Sequence, residues 1–354
     1  MESKGPEAAK QRQRLRIILF LVFSVVSIGL ILHFTVTDET IDAFRAISGK
    51  SILRIVGVWF VFVLADAAST LFFSRGTEEK IGFLNGLKLV FIRIFFALIT
   101  PFNFGGQPFM IYSLHKDGVP PGKATSIVIT KLLMLSVFVL SATATAMFIG
   151  RNKVVELKSL NFLFYLTGIV QVVVMALIFF TLLYPQLTIG VITWVGKLSK
   201  RIRRNKVTQG RFKHLVIHEA YLARKSFKRF FSKHIGYFIG GTVAGGVQFL
   251  AMIFLLYVVL HAFMPDLPVL DGYVLSALLL FLLSFMPTPG ASGLGELLFV
   301  VLFGKTVPTH ILGIAVVMWR FFFNYLGALF GAVISLDKFS SIIVKKRKGE
   351  TSYE

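Results

Sequence analysis

The 354 residues carry 38 Lys and Arg against 17 Asp and Glu, a formal net charge of +21, and are 55% hydrophobic but only 16% charged. A soluble globular domain is nearer a quarter charged, so the composition excludes one and describes a single polytopic membrane domain over 1–354. The absence of cysteine excludes disulfides, thiol nucleophiles and thiolate-bound metal. The positive residues flank apolar runs, which points to anionic lipid headgroups and away from nucleic acid.

Residues 1–16 are basic (Lys4, Lys10, Arg12, Arg14, Arg16), and an apolar run follows over 17–34. The run is long for a signal peptide, and Thr35-Val36-Thr37-Asp38 offers no small-residue cleavage site, so it reads as an uncleaved span with a cytoplasmic N-terminus. A connection with Asp38, Glu39 and Asp42 leads to a second span at 52–73, interrupted by Asp66. A weaker segment, 83–100, carries Lys88 and Arg93 and ends in Thr100-Pro101-Phe102-Asn103-Phe104-Gly105-Gly106-Gln107-Pro108. Proline lacks an amide donor and glycine weakens helix, so a break is expected there, followed by a short apolar arm at 109–114.

Two further spans are expected at 124–149 and 162–183, then an amphipathic piece at 187–195. Residues 197–233 hold thirteen Lys and Arg against one acid, Glu219, which marks a cytoplasmic loop. Phe212, Leu215, Val216 and Leu222 interleave with those charges, as in a helix lying on a membrane surface. A span at 234–260 and an outer loop with Asp266 and Asp271 lead into 273–303. That apolar run is broken by Met286-Pro287-Thr288-Pro289-Gly290-Ala291-Ser292-Gly293-Leu294-Gly295-Glu296. The last span is expected at 309–336, and the tail over 337–354 is basic.

Charge parity decides the topology. If 83–100 crossed fully, the basic loop would lie outside; if 273–303 crossed, the basic tail would. Six full spans with two re-entrant hairpins, 83–114 from the inside and 273–303 from the outside, keep every cluster cytoplasmic. The stretches 52–149 and 234–336 then become the same three parts in opposite orientation. Paired broken helices in inverted halves point to a transport site near the midplane.

Broken backbone at membrane depth survives only where protein or a watery cavity satisfies it, and ionisable groups there mark sites or structural pairs. Arg320 lies deep in the last span and requires an acid, with Glu296 and Asp66 the candidates; Asn324 follows four residues later, on the same helical face. Arg93 is the deeper cation of the first hairpin, Lys88 is placed to snorkel, and Lys131 fits either role. Amides around Gly105 and Gly106, or from Gly290 to Gly295, offer an anion nest at a half-helix start. The seven histidines form no ligand set, and no nucleotide or nucleophile-elbow motif occurs, so neither a metal, a cofactor nor a catalytic residue is expected. The plain alternative is a structural bend locked by an ion pair.

The two broken motifs, Thr100-Pro101-x-x-x-Gly105-Gly106-Gln107-Pro108 and Pro287-x-Pro289-Gly290-x-x-Gly293-x-Gly295-Glu296, resemble those of the lysylphosphatidylglycerol synthase transmembrane-domain family, described as flippase-like. The resemblance implies movement of aminoacylated or isoprenoid-linked lipids between leaflets, with Gly105, Gly106, Pro289, Gly293 and Glu296 along the lipid path. Larger members carry a cytoplasmic acyltransferase-like domain after the membrane part. This sequence runs to Glu354 without one, so aminoacyl transfer is not expected of it.

The reading is therefore an all-α protein of a bacterial cytoplasmic membrane, with both termini inside. It binds an anionic or isoprenoid-linked lipid between two hairpins and moves it. Arg93, Lys131, Arg320, Asn324 and Gln107 are the expected headgroup contacts, with Glu296 and Asp66 as positioning or proton-carrying acids. Pro101, Gly105, Gly106, Pro287, Pro289, Gly290, Gly293 and Gly295 form the breaks. Two alternatives stand beside it: a membrane enzyme or accessory subunit acting on a lipid-linked sugar or aminoacyl lipid, and a scaffold whose basic loop recruits a separate cytoplasmic lipid-modifying enzyme.

Overall fold

The computed structural model of the protein describes residues 47–150, 160–184, 206–284 and 286–335, with isolated positions at 42, 45, 186 and 190; the side chains of 161 and 206–216 are not described. The expected span at 17–34, its basic leader, the piece at 187–195 apart from Gly190, and the tail at 337–354 lie outside the described residues.

Described residues form α1 (Gly49–Gly76), α2 (Phe83–Leu98), α3 (Gly106–Lys116), α4 (Pro121–Ile149), α5 (Asn161–Leu183), α6 (Lys206–Ser232), α7 (Ile235–Phe263), α8 (Val269–Leu283), α9 (Leu294–Phe303) and α10 (Thr309–Arg320). A π-turn at Phe321–Tyr325 continues α10 into a helix described as far as Ser335. Among the described residues, five helices are long and apolar enough to cross a membrane: Gly49–Gly76, Pro121–Ile149, Phe162–Leu183, Ile235–Phe263 and Thr309–Ser335. At 1.5 Å per residue such lengths cover the roughly 30 Å of a hydrocarbon core. By the same measure α2, α3, α8 and α9, with 16, 11, 15 and 10 residues, are each too short to cross.

Two expectations change. The return arm after the first break is an 11-residue helix beginning at Gly106, not a short arm from Phe109. Pro108 falls in its first turn, where the missing amide has no helical partner to lose. The expected basic loop is mostly the helix α6, whose buried Ala220, Ala223, Phe227 and Phe230 seat it on the rest of the protein.

One shift relates two parts of the chain. Thr288 follows Thr100 by 188 positions, and each precedes a Pro that opens a 3-10 turn, Pro101–Asn103 or Pro289–Ala291. The same shift carries the start of α3 onto that of α9 and the start of α4 onto that of α10; the starts of α1 and α2 fall within two residues of those of α7 and α8. Equivalent neighbours also pack together: α1 on α2 and α4, and α7 on α8 and α10.

α1 and α7 lie against each other at the centre. Gly240 and Gly241 let Phe72 and Phe73 of α1 rest on the α7 backbone, and the Ser69 hydroxyl donates to the Gly241 carbonyl at 2.9 Å. Beyond the π-turn, Gly327 and Gly331 bring the last helix onto α2, where Ile94, the Phe91 carbonyl and Phe95 fill the space of a side chain. Such small-residue spacing permits close backbone approach without a hydrophobic driving force.

α6 is tied to the ends of α1 and α4. Glu219 accepts from the Gly122 amide at 2.5 Å, Lys123 pairs with Glu79 at 2.6 Å, and Glu78 meets Arg229, with His234 3.5 Å away. Partial desolvation pushes the Glu78 carboxyl up, and Arg229, His234 and Lys123 outweigh it and hold it below its ordinary 4.5. A depressed carboxyl contributes above its unfolded pKa, and the contribution is lost as pH falls through the folded value. Amide exchange across α6, corrected for intrinsic rate, should therefore rise as pH falls from 7 to below 4.5, the ordinary value of the carboxyl. Glu78→Gln should show the rise already at pH 7. Protection of α6 that is indifferent to both would mean this tie does not hold the helix.

Candidate functional site

The two breaks share one backbone conformation. After an extended Thr and a Pro, two consecutive residues turn left-handed: Phe102 (φ 57°) and Asn103 (φ 55°) in the first, Gly290 (φ 60°) and Ala291 (φ 55°) in the second. Each turn closes by an amide donating to its proline carbonyl, Phe104 to Pro101 at 3.3 Å and Ser292 to Pro289 at 3.1 Å. Left-handed backbone costs about 1–2 kcal/mol for a residue with a side chain, so Phe102, Asn103 and Ala291 require the surroundings to hold them. The turns hold one another: the Phe102 amide donates to the Met286 carbonyl at 3.2 Å.

The first break is closed by its own chain. The Thr100 hydroxyl donates to the Phe96 carbonyl at 2.8 Å and accepts from the Gly105 amide at 2.8 Å. Gly105 and Gly106 sit against Thr100 and the backbone of Arg93, with no room for a side chain. The second break is closed from across the fold. Arg320 donates to the Gly290 and Ala291 carbonyls, both at 2.9 Å, and its Nε lies 2.9 Å from Glu296 Oε1. These carbonyls are acceptors that a broken helix leaves without partners, and the guanidinium fork satisfies two at once. Gly295 is packed against that guanidinium. Of the two acids weighed for Arg320, the structure supplies Glu296.

Asp66 serves different cations. Fully buried on α1, it takes Arg93 of α2 on one oxygen and Lys131 of α4 on the other. Lys131 also donates to the Asp66 carbonyl at 2.8 Å and the Thr70 hydroxyl at 2.7 Å. Lys131 is thus a buried partner of Asp66, while Lys88 is exposed. Two cations share one carboxylate, so the cluster keeps a net positive charge.

That charge borders a cavity of about 270 Å³. Arg93, Asn103 and Gln107 line it from the first hairpin, Ser136 from α4, Gln171 from α5, Gln248 from α7, Ser284 from the end of α8, and Asn324 from the π-turn; Phe62, Phe102, Phe104 and Phe323 are among its apolar walls. Of the five expected headgroup contacts, Arg93, Gln107 and Asn324 face this space. Lys131 and Arg320 stand behind its walls, on Asp66 and on the second break. Pro101, Gly105 and Gly106 adjoin it through Phe102, Asn103 and Phe104; Pro287, Pro289, Gly290, Gly293 and Gly295 do not line it.

Arg320 and Asn324 were expected on one helical face. The π-turn begins at Phe321 and winds the chain differently between them, so Arg320 reaches the break and Asn324 the cavity. Asn103, Ser136, Gln171, Gln248 and Ser284 line the cavity and are not among the contacts expected from sequence. A carboxamide alone in an apolar span, as Gln171 and Gln248 are, was the available signal.

Comparison with known proteins follows the same lines. A family model described as "Lysylphosphatidylglycerol synthase TM region" matches residues 17–331. A "UPF0104 membrane protein" of Archaeoglobus fulgidus is 25% identical over 337 residues, covering 88% of this chain and 94% of that protein.

Proposed function

The chain belongs to the lysylphosphatidylglycerol synthase TM region family, and from that premise we propose that it binds the phosphate of a membrane lipid in the cavity beside its two breaks and moves the lipid between leaflets. The observation that carries this reading is Arg93: it faces the cavity, and the carboxylate that holds it is already shared with Lys131. An anion entering the cavity therefore finds a cation that Asp66 alone does not neutralise. A lipid needs shelter only for its headgroup, which fits a cavity with few polar groups in a protein whose outer surface is apolar.

In this reading the two units are inverted in a cytoplasmic membrane. α2–α3 and α8–α9 are re-entrant from opposite sides, and the basic end with α6 faces the cytoplasm. The short helices cannot span alone, and several polar backbone groups of the turns that join them find partners inside the protein: the Phe102 amide on Met286, the Gly105 amide on Thr100, and the Gly290 and Ala291 carbonyls on Arg320.

The test is lipid movement in vesicles containing the purified protein, read by quenching a fluorescent phosphatidylglycerol analogue in the outer leaflet. Arg93→Gln should lower the rate at least tenfold, toward that of protein-free vesicles, while Lys88→Gln on the exposed face should match wild type. Movement by Arg93→Gln at the wild-type rate would remove the cavity from the mechanism.

A further inference from the structure

We propose that Arg93 also holds a small monovalent inorganic anion of the chloride class in this cavity, and that a lipid phosphate enters by displacing it. The displacement rests on the headgroup-binding reading above; the anion site itself rests on the charges around it.

Three ionisable groups meet at the cavity wall, Asp66 of α1, Arg93 of α2 and Lys131 of α4. The protonation of Lys131 is fixed by its partners. Its nitrogen meets Asp66 Oδ1, the Asp66 carbonyl at 2.8 Å and the Thr70 hydroxyl at 2.7 Å. A carboxylate and a carbonyl only accept. The Thr70 hydroxyl gives its hydrogen to the Asp66 carbonyl at 3.1 Å, so toward Lys131 it accepts as well. Three acceptors around one nitrogen require three N–H bonds, which an ammonium has and a neutral amine lacks. Lys131 therefore keeps its charge, and so does Arg93, whose guanidinium does not deprotonate. With one carboxylate between them, the excess is one positive charge.

That excess is held away from bulk water: Asp66 and Lys131 are 0% and 8% exposed. A charge so placed is costly unless it is paired, and release of a proton from Lys131 is closed to it as a remedy. The remedy left is an anion. Lys131 spends its three donors on Asp66 and Thr70, whereas Arg93 faces the cavity and its Nε has no hydrogen-bond partner among the described residues. The polar groups beside it are mainly the carboxamides of Asn103, Gln107, Gln171, Gln248 and Asn324, which offer N–H donors and bring no competing charge. No carboxylate among the described residues lines the space.

A monovalent ion matches an excess of one charge, and a divalent one would reverse it. The volume of about 270 Å³ admits such an ion with part of its hydration. One excess charge supports one anion, so the ion and a lipid phosphate compete for Arg93. Between lipids the ion keeps the site neutral, and each phosphate that enters releases it.

The experiment is thermal unfolding of the whole protein in detergent, with sodium chloride replaced stepwise by sodium gluconate at one ionic strength. A ligand of the folded state raises the midpoint as its concentration passes its Kd. Wild type and Lys88→Gln should show a saturable rise of a few degrees with chloride, and Arg93→Gln should lose it. The decisive variant is Lys131→Met, whose side chain lies behind the wall. Without that ammonium Asp66 neutralises Arg93, and the chloride affinity should fall about tenfold although the cavity lining is unchanged. In parallel, the apparent Kd of the fluorescent phosphatidylglycerol analogue should be at least threefold weaker in chloride than in gluconate. A wild-type midpoint indifferent to chloride, or a rise that persists in both Arg93→Gln and Lys131→Met, would overturn the anion site. If the analogue then still binds through Arg93, the headgroup reading survives that loss. A chloride effect that needs Arg93 and Lys131, with an analogue that never competes, would keep the anion site and sink both the displacement and the headgroup reading.

Discussion

Asp66→Asn should destabilise the protein by about 3–5 kcal/mol, because it leaves Arg93 and Lys131 facing one another without their common anion. In detergent this should read as a fall on the order of 10 °C in the thermal unfolding midpoint, together with loss of lipid movement. Lys131→Met should cost less, since Arg93 remains on Asp66 and the local charge balances. The informative variant is Asp66→Asn with Lys131→Met, which removes one charge of each sign and should recover part of the lost stability. If Asp66→Asn unfolds at the wild-type temperature, the three groups are not an electrostatic unit.

Arg320→Met should be comparably damaging through a different route. It strands Glu296 as a buried, uncompensated carboxylate and removes the donors from the Gly290 and Ala291 carbonyls. The expected loss is again about 3–5 kcal/mol, with the second turn opened. Adding Glu296→Leu should repair the charge but not the carbonyls, so rescue should be partial. Gly295→Ala should imitate Arg320→Met without touching a charge, because a methyl group there occupies the place of the guanidinium. Since Arg320 does not line the cavity, the protein that remains folded in these variants should keep its order of lipid preference. A changed order at unchanged stability would put Arg320 in the headgroup site after all.

Much of this architecture is legible in the chain because membranes punish ambiguity. Helix length, proline and glycine breaks and the distribution of Lys and Arg each have a direct physical reading, and the expected spans at 52–73, 124–149, 162–183, 234–260 and 309–336 fall on helices long and apolar enough to cross. The ionisable groups inside those spans are equally conspicuous. Which acid meets which cation is not, because Asp66 and Glu296 are equally plausible partners for Arg320 until tertiary packing brings one of them near. The π-turn leaves no mark in Phe321-Phe322-Phe323-Asn324-Tyr325, so a regular helical wheel assigns Asn324 to the face of Arg320. Basic residues in α6 dominate its composition and hide the small and aromatic positions, Ala220, Ala223, Phe227 and Phe230, that seat it.

The meeting of Gly327 and Gly331 with α2 has a kinematic consequence. Contacts made by long side chains can slip by changing rotamer, but Gly331 rests on the Phe91 carbonyl and Gly327 on the stiff, β-branched Ile94, so in the proposed transport cycle the two helices are expected to translate and tilt together. One of them carries Arg93 and the other, just above the contact, carries Asn324. In the proposed transport cycle these two groups are expected to keep their separation. The proposed binding site would then be less a pair of jaws than a cup, whose far side moves past it while the contents stay held.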